Sequence, residues 1–370
     1  MRYFFLFASF IALFTFSCKK QSNDVTNGNT SPSTKDKKIV LKDQEFKVAE
    51  SLNLMYFNDL AVGVIEQTNT SLKLITAAGV STIILEGTDI KNMTRARTVL
   101  NPRGGNFIDA NYIGVSSTIR GRSGTIYGLY HAEWHDGSVL AGGIPGFYAS
   151  IGLAKSTDNG NTFIPSNAAV IPSYYDKNYN NGAADGGLGE PTMLYNKDST
   201  KVYAYFVDHN RTGLGVNISM ASFDVINGEP DFTKCYLINY SNEFVNQLIR
   251  SKHIVYGNGA DAIFPQVTFN KALNKYLMVY TLNAYQEFST GNLKDSGTYV
   301  VTSADGINWD MENQYRIITD FAIPIGTGNS YTWHPSIFYT NASHTEGYLL
   351  YSKGQFGINH VMYARRFVIE

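Results

Sequence analysis

The chain has 370 residues, with 30 Lys and Arg against 31 Asp and Glu and a net charge of −1. That balance excludes nucleic-acid binding through a basic surface and polybasic attachment to an acidic membrane. The 25 Tyr, 22 Phe and 33 Gly favour strands and tight turns over helices, and Cys18 and Cys235 together make neither a disulfide framework nor a cysteine metal site.

In chain order, Arg2 precedes an apolar run from Tyr3 to Phe16 that ends in Ser17-Cys18-Lys19-Lys20. This is the length of a signal peptide and too short to span a bilayer comfortably. A small residue before a cysteine resembles a bacterial lipoprotein signal, with Cys18 as the lipidated new N-terminus. Residues 19–38 are rich in Ser, Thr, Asn, Asp and Lys and read as a flexible tether, because they carry too little apolar surface to bury. The expectation is an exported, lipid-anchored monomer, periplasmic or on the cell surface. Residues 39–370 are expected to form a single all-β domain.

Within that domain a unit recurs. Glu190-Pro191-Thr192-Met193-Leu194-Tyr195 leads to Val202–Phe206. Phe264-Pro265-Gln266-Val267-Thr268-Phe269 leads to Lys275–Tyr280, and His334-Pro335-Ser336-Ile337-Phe338-Tyr339 leads to Gly347–Tyr351. Looser copies begin at Asp59 and Asp109. Each reads as a strand, a polar turn and a second strand. Five units, each long enough for four strands, predict a five-bladed β-propeller. Two turns fit an Asp-box pattern, Ser156-Thr157-Asp158-Asn159-Gly160-Asn161-Thr162-Phe163 and the shorter Ser303-Ala304-Asp305-Gly306-Ile307-Asn308-Trp309. There Asp caps backbone N–H groups and Gly takes the positive φ, which makes Asp158 and Asp305 structural.

In a propeller the innermost strands line a central channel and their starts open on one face. Asp59, Asp109, Glu190, Phe264 and His334 would then converge, with Pro191 holding Glu190 extended. Several carboxylates in one pocket are what glycosidic bond cleavage requires: one protonates the leaving oxygen, another activates water or attacks the sugar, and a third raises the acid's pKa. A second cluster, Tyr130-His131-Ala132-Glu133-Trp134-His135, ends the second strand of the second unit, and Tyr205-Phe206-Val207-Asp208-His209 occupies the equivalent place in the third. His131, Glu133, Trp134, Asp208 and His334 are therefore candidate substrate-binding residues, and no metal-ligand spacing accompanies them.

At these residues the chain resembles the five-bladed propeller glycoside hydrolases of family 43 and related furanosidases. The resemblance implies Asp59 as general base or nucleophile, Asp109 as pKa modulator and Glu190 as general acid. Asp208 is an alternative modulator. The implied partner is a carbohydrate, with no nucleic acid and no cofactor beyond a channel-bound cation near His334. Two other readings use the same residues: a non-catalytic propeller that binds a glycan or a protein, and a sialidase, suggested by the Asp boxes. No unit starts with the arginine a sialidase would need.

Overall fold

Aromatic and β-branched runs become strands in the computed structural model, which describes residues 37–139, 145–174, 185–212, 215–257, 260–283, 296–319, 331–354 and 360–370. The chain opens with β1 (Ile39–Leu41), β2 (Phe46–Lys47) and a short 3-10 turn, Glu50–Leu52. The first meander is β3 (Gly63–Gln67), β4 (Leu72–Ala78), β5 (Ser81–Gly87) and β6 (Met93–Leu100). The second is β7 (Tyr112–Arg120), β8 (Ile126–Val139) and β9 (Pro145–Ser156), with β10 (Ile164–Pro165) beside β9. The third is β11 (Asp185–Tyr195), β12 (Lys201–Thr212), β13 (Gly215–Ile226) and β14 (Glu229–Ile238), edged by β15 (Phe244–Val245) and β16 (His253–Val255). The fourth is β17 (Asp261–Asn270), β18 (Lys275–Asn283), β19 (Gly297–Ser303) and β20 (Tyr315–Thr319). The last is β21 (Tyr331–Tyr339), β22 (Glu346–Gly354) and β23 (His360–Ile369), completed by β1 and β2.

Lys38 and Glu370 exchange backbone hydrogen bonds beside β1 and β23. The expected signal peptide, Cys18 and the expected tether up to residue 36 lie outside the described residues.

Apolar side chains fill the spaces between consecutive meanders. Ile75 and Ile84 of the first pack with Ile113 and Tyr130 of the second. Leu129 and Ile151 meet Ala204 and Phe206. Tyr205 and Met220 meet Met278 and Tyr280. Leu277 and Val279 meet Ile337 and Leu349. The fifth meander returns to the first, with Phe338 and Leu350 packed against Leu72 and Leu74. The fold is all-β and propeller-like. A cavity of about 660 Å³ is lined from β3, β7, β11, β17 and β21, so these five strands surround one space.

Polar side chains link those inner strands. Thr118 Oγ1 donates to Val64 O (3.1 Å), Met193 N–H to Ser117 Oγ (2.9 Å), Ile337 N–H to Gln266 Oε1 (3.1 Å) and Val62 N–H to Ser336 Oγ (2.9 Å). At the turn after β9, Asp158 accepts from Ser156 Oγ (2.8 Å) and from both Thr162 N–H (2.9 Å) and Oγ1 (2.6 Å), and Phe163 is buried. Asp305 accepts from the amides of Ile307 and Asn308, each at 2.8 Å.

Each inner strand also carries a register shift: Val64/Glu66, Val115/Ser117, Gly189/Thr192, Ile263/Gln266 and Trp333/Ser336. In the last three the shift falls on an X-Pro pair whose first residue has positive φ: Glu190 (51°), Phe264 (57°) and His334 (49°). The expected extended conformation of Glu190 is thus corrected. Pro191 supplies no N–H, and the bulge takes both residues out of the ladder.

Gly152 faces Tyr130 across β8 and β9, and a Cβ there would lie 2.1 Å from the Tyr130 ring. Tyr130 is fully buried, with its hydroxyl on Ser166 O at 2.9 Å, so the ring has little room to yield. Gly152→Ala should therefore destabilise the domain by about 1–3 kcal/mol through overpacking, read as a lower urea midpoint at an unchanged slope.

Candidate active site

Carboxylates gather where the bulges turn inward. Asp59 precedes β3, and its carboxyl lies 3.5 Å from His360 Nε2 and 3.8 Å from His334 Nε2, with 28% of its side chain exposed. Tyr112, at the start of β7, donates its hydroxyl to Asp59 O at 2.9 Å. His131, Glu133 and His135 alternate along β8 and share one face. His131 Nε2 lies 3.0 Å from Glu133 Oε1, and His135 Nε2 lies 2.7 Å from Glu133 Oε2. His131 Nδ1 accepts the Glu190 N–H at 3.0 Å. A ring nitrogen that accepts carries no proton, so His131 is the Nε2–H tautomer and donates to Glu133. Gly189 permits this approach, since a Cβ there would meet His131 Nδ1 at 2.4 Å and His209 Nε2 at 2.8 Å.

The three carboxyls of this group differ in charge state. Burial raises the Glu133 carboxyl, but hydrogen bonds from His131 and His135 outweigh it and bring it down to about 2. Burial pushes Glu190 well above the usual carboxylate range, and the charges on Asp59 and Glu133 push it further, against one hydrogen bond from the Phe264 amide. Asp59 is raised by burial and drawn back by His360. His334 is held neutral by burial beside His360 and His131. Among the described residues, Glu190 Oε2, His334 Nδ1 and Asn58 Oδ1 are buried without hydrogen-bond partners. Native interiors seldom leave such atoms unpaired, and together they suit a polar ligand.

Asp59, Glu190, His131, Glu133 and His334 are thus brought together. Asp109 is not. It is fully buried, its oxygens receive Arg103 Nε at 2.9 and 2.8 Å and Nη2 at 2.7 Å, and Arg103 also donates to Ser166 O. Asp208 also lies apart, 3.3 Å from His253 Nε2 and hydrogen-bonded to Asn210, while its neighbour His209 faces His131 with ring centroids 6.2 Å apart. Trp134 falls on the face of β8 opposite His131 and Glu133. Three further contributors, Tyr112, His209 and His360, were not singled out from the sequence. His209 lies in the segment that already carried Asp208, on the opposite strand face, whereas His360 sits on a third strand with no repeat to mark it. No group of three or more His, Cys, Asp or Glu among the described residues is arranged to hold a metal. The 660 Å³ cavity contains none of these carboxylates and lies further along the inner strands.

No protein-family model matches the sequence, and no curated protein matches it. Solved structures do share its fold. A thermostable family-43 glycoside hydrolase is 11% identical, with a TM-score of 0.53 over 86% of this chain and 94% of that one. Endo-1,5-alpha-L-arabinanase from Thermotoga petrophila is 13% identical, with a TM-score of 0.50 over 86% and 74%. A family-43 glycoside hydrolase from Bacillus licheniformis is 13% identical, with a TM-score of 0.50 over 89% and 75%. At these identities the likeness is one of fold.

The raised Glu190 fixes the sign of a stability effect. Between the ordinary glutamate pKa and its own raised one, the folded state holds a proton that the unfolded state has lost, so Glu190 makes stability fall as pH rises through that window. Glu190→Gln removes this penalty. The variant should match wild type near pH 4 and become progressively more stable than it toward pH 8, measured as urea midpoints across that range.

Proposed function

We propose that the chain is a glycoside hydrolase, with Glu190 as the general acid, Asp59 as the general base or nucleophile and Glu133 as a further negative charge that, after burial and Asp59, helps keep the acid protonated. The carrying observation is the Glu190 carboxyl, buried beside two other carboxylates with one oxygen unpartnered and its pKa raised well above the usual range. An acid that keeps its proton near neutrality beside a carboxylate that has lost its own is the pair glycosidic cleavage uses. Glu133 suits the modulating role expected of Asp109, because its two oxygens are taken up by His131 and His135 and neither is free to attack. Asp59 suits the other role, because its carboxyl is partly open to solvent.

The five meanders, packed in sequence and returning from fifth to first, support a five-bladed propeller whose channel carries the site. The similarity in fold to a family-43 glycoside hydrolase and to an endo-1,5-alpha-L-arabinanase supports a glycoside substrate. A lipid anchor at Cys18 with a polar tether fits an enzyme that works outside the cell on a large polymer.

Hydrolysis of a panel of aryl furanosides and pyranosides tests this. For poor leaving groups, Glu190→Gln should lower kcat by about 10²–10⁴-fold, with much of the rate kept on dinitrophenyl glycosides, which leave without a proton. Asp59→Asn should abolish turnover of both. Glycan binding by wild type without any turnover would sink the hydrolase reading in favour of a binding propeller.

A further inference from the structure

We infer that His131 is a positioning residue that ties the backbone of the Glu190 bulge to the Glu133 carboxylate. A non-glycine residue in the left-handed region before a proline is strained and persists only where its surroundings hold it. At this bulge Gly189 pairs with Val207 and Thr192 with Tyr205, so Glu190 and Pro191 have no ladder partner. The Glu190 N–H would be stranded in a buried place, and His131 Nδ1 at 3.0 Å is what receives it. His131 is itself fixed. Its side chain is 4% exposed, Tyr112 packs edge-on at 5.3 Å, and Nε2 is on Glu133 at 3.0 Å. Glu133 is held on its other oxygen by His135, whose own amide donates to Asn111 Oδ1 at 2.9 Å.

One imidazole therefore does two jobs that depend on one tautomer. Accepting from Glu190 requires a bare Nδ1, and a bare Nδ1 leaves the proton on Nε2, where it meets Glu133. Rotating or replacing the ring would release the acid's backbone and the modulator's charge together.

The two halves can be separated. In His131→Gln the amide nitrogen takes the place of Nε2 and still serves Glu133, but nothing accepts the Glu190 N–H. In His131→Asn the amide oxygen takes the place of Nδ1 and still accepts from Glu190, but Glu133 loses a donor. This kinetic arm rests on the hydrolase reading. On a glycoside with a poor leaving group, His131→Gln should lose about 10²-fold in kcat, with KM within about twofold and little loss on a dinitrophenyl glycoside, because the acid is misaimed. His131→Asn should recover to within about tenfold of wild type. Equal losses in both variants, or none in either, would overturn the positioning role. The second arm needs no activity: ¹⁵N-histidine NMR of the wild-type protein should report His131 as the Nε2–H tautomer, and an Nδ1–H or doubly protonated ring at neutral pH would refute the inference. If wild type hydrolyses nothing while the tautomer is as expected, the hydrolase reading fails and the clamp stands.

Discussion

The structure turns on a bulge. Each of the five inner strands breaks its pairing for one step. In three strands this is done with the same local chemistry, a residue at positive φ followed by a proline. Proline gives up no hydrogen bond at a place where the ladder has already failed, so it costs least there. The residue before it carries the strain and is aimed by it. That residue is an acid in β11, an aromatic in β17 and a histidine in β21, and Phe264 and His334 lie in contact with ring centroids 4.0 Å apart. One backbone device, repeated, therefore delivers three different kinds of group to one place.

What those groups do depends on how each carboxyl is solvated. Glu133 has two histidine donors and stays charged; Glu190 has one backbone donor and two negative neighbours and stays protonated. The difference is a matter of partners, since both are largely but not fully buried. Holding unlike charge states side by side costs folding stability, and sites commonly bear such a cost where chemistry needs it. The apolar clusters between the meanders are what the site leans on.

Much of this was legible from residues. The X-Pro repeats marked three inner strands because both the proline and the residue before it are constrained, which brought Glu190 and His334 together, and a looser copy of the same unit added Asp59. Alternation along β8 put His131 and Glu133 on one face. The misplacements have a common cause. Asp109 and Asp208 stand where inward carboxylates were expected, yet each is engaged elsewhere, by Arg103 and by His253, and no periodicity announces a partner six or forty-five positions away in the chain. Nor could the sequence reveal that Glu190 is not extended. The bias of a pre-proline residue toward the β region is real, but a tertiary hydrogen bond from its amide overrides it.

The clamp also explains an asymmetry among the sheets. Among the described residues the first, fourth and fifth meanders are separate sheets, whereas the second and third are one sheet of ten strands. They are joined by parallel pairing of Asp185, Gly186 and Gly187 in β11 with Phe147, Tyr148 and Ala149 in β9. Gly187 makes the join possible: its φ is 85°, and a Cβ would come within 2.0 Å of Ala149 O. Three residues further along β11 is Glu190, and across β9 in β8 are His131 and Glu133, paired with Ile151 and Ala149. The strands bearing Glu190 and Glu133 are thus joined through the backbone instead of merely packed. Side-chain packing allows small sliding between neighbouring sheets, but a hydrogen-bonded ladder does not. A histidine whose two nitrogens must stay within hydrogen-bonding distance of groups on two meanders needs that rigidity, and the sheet supplies it at the junction between the second and third.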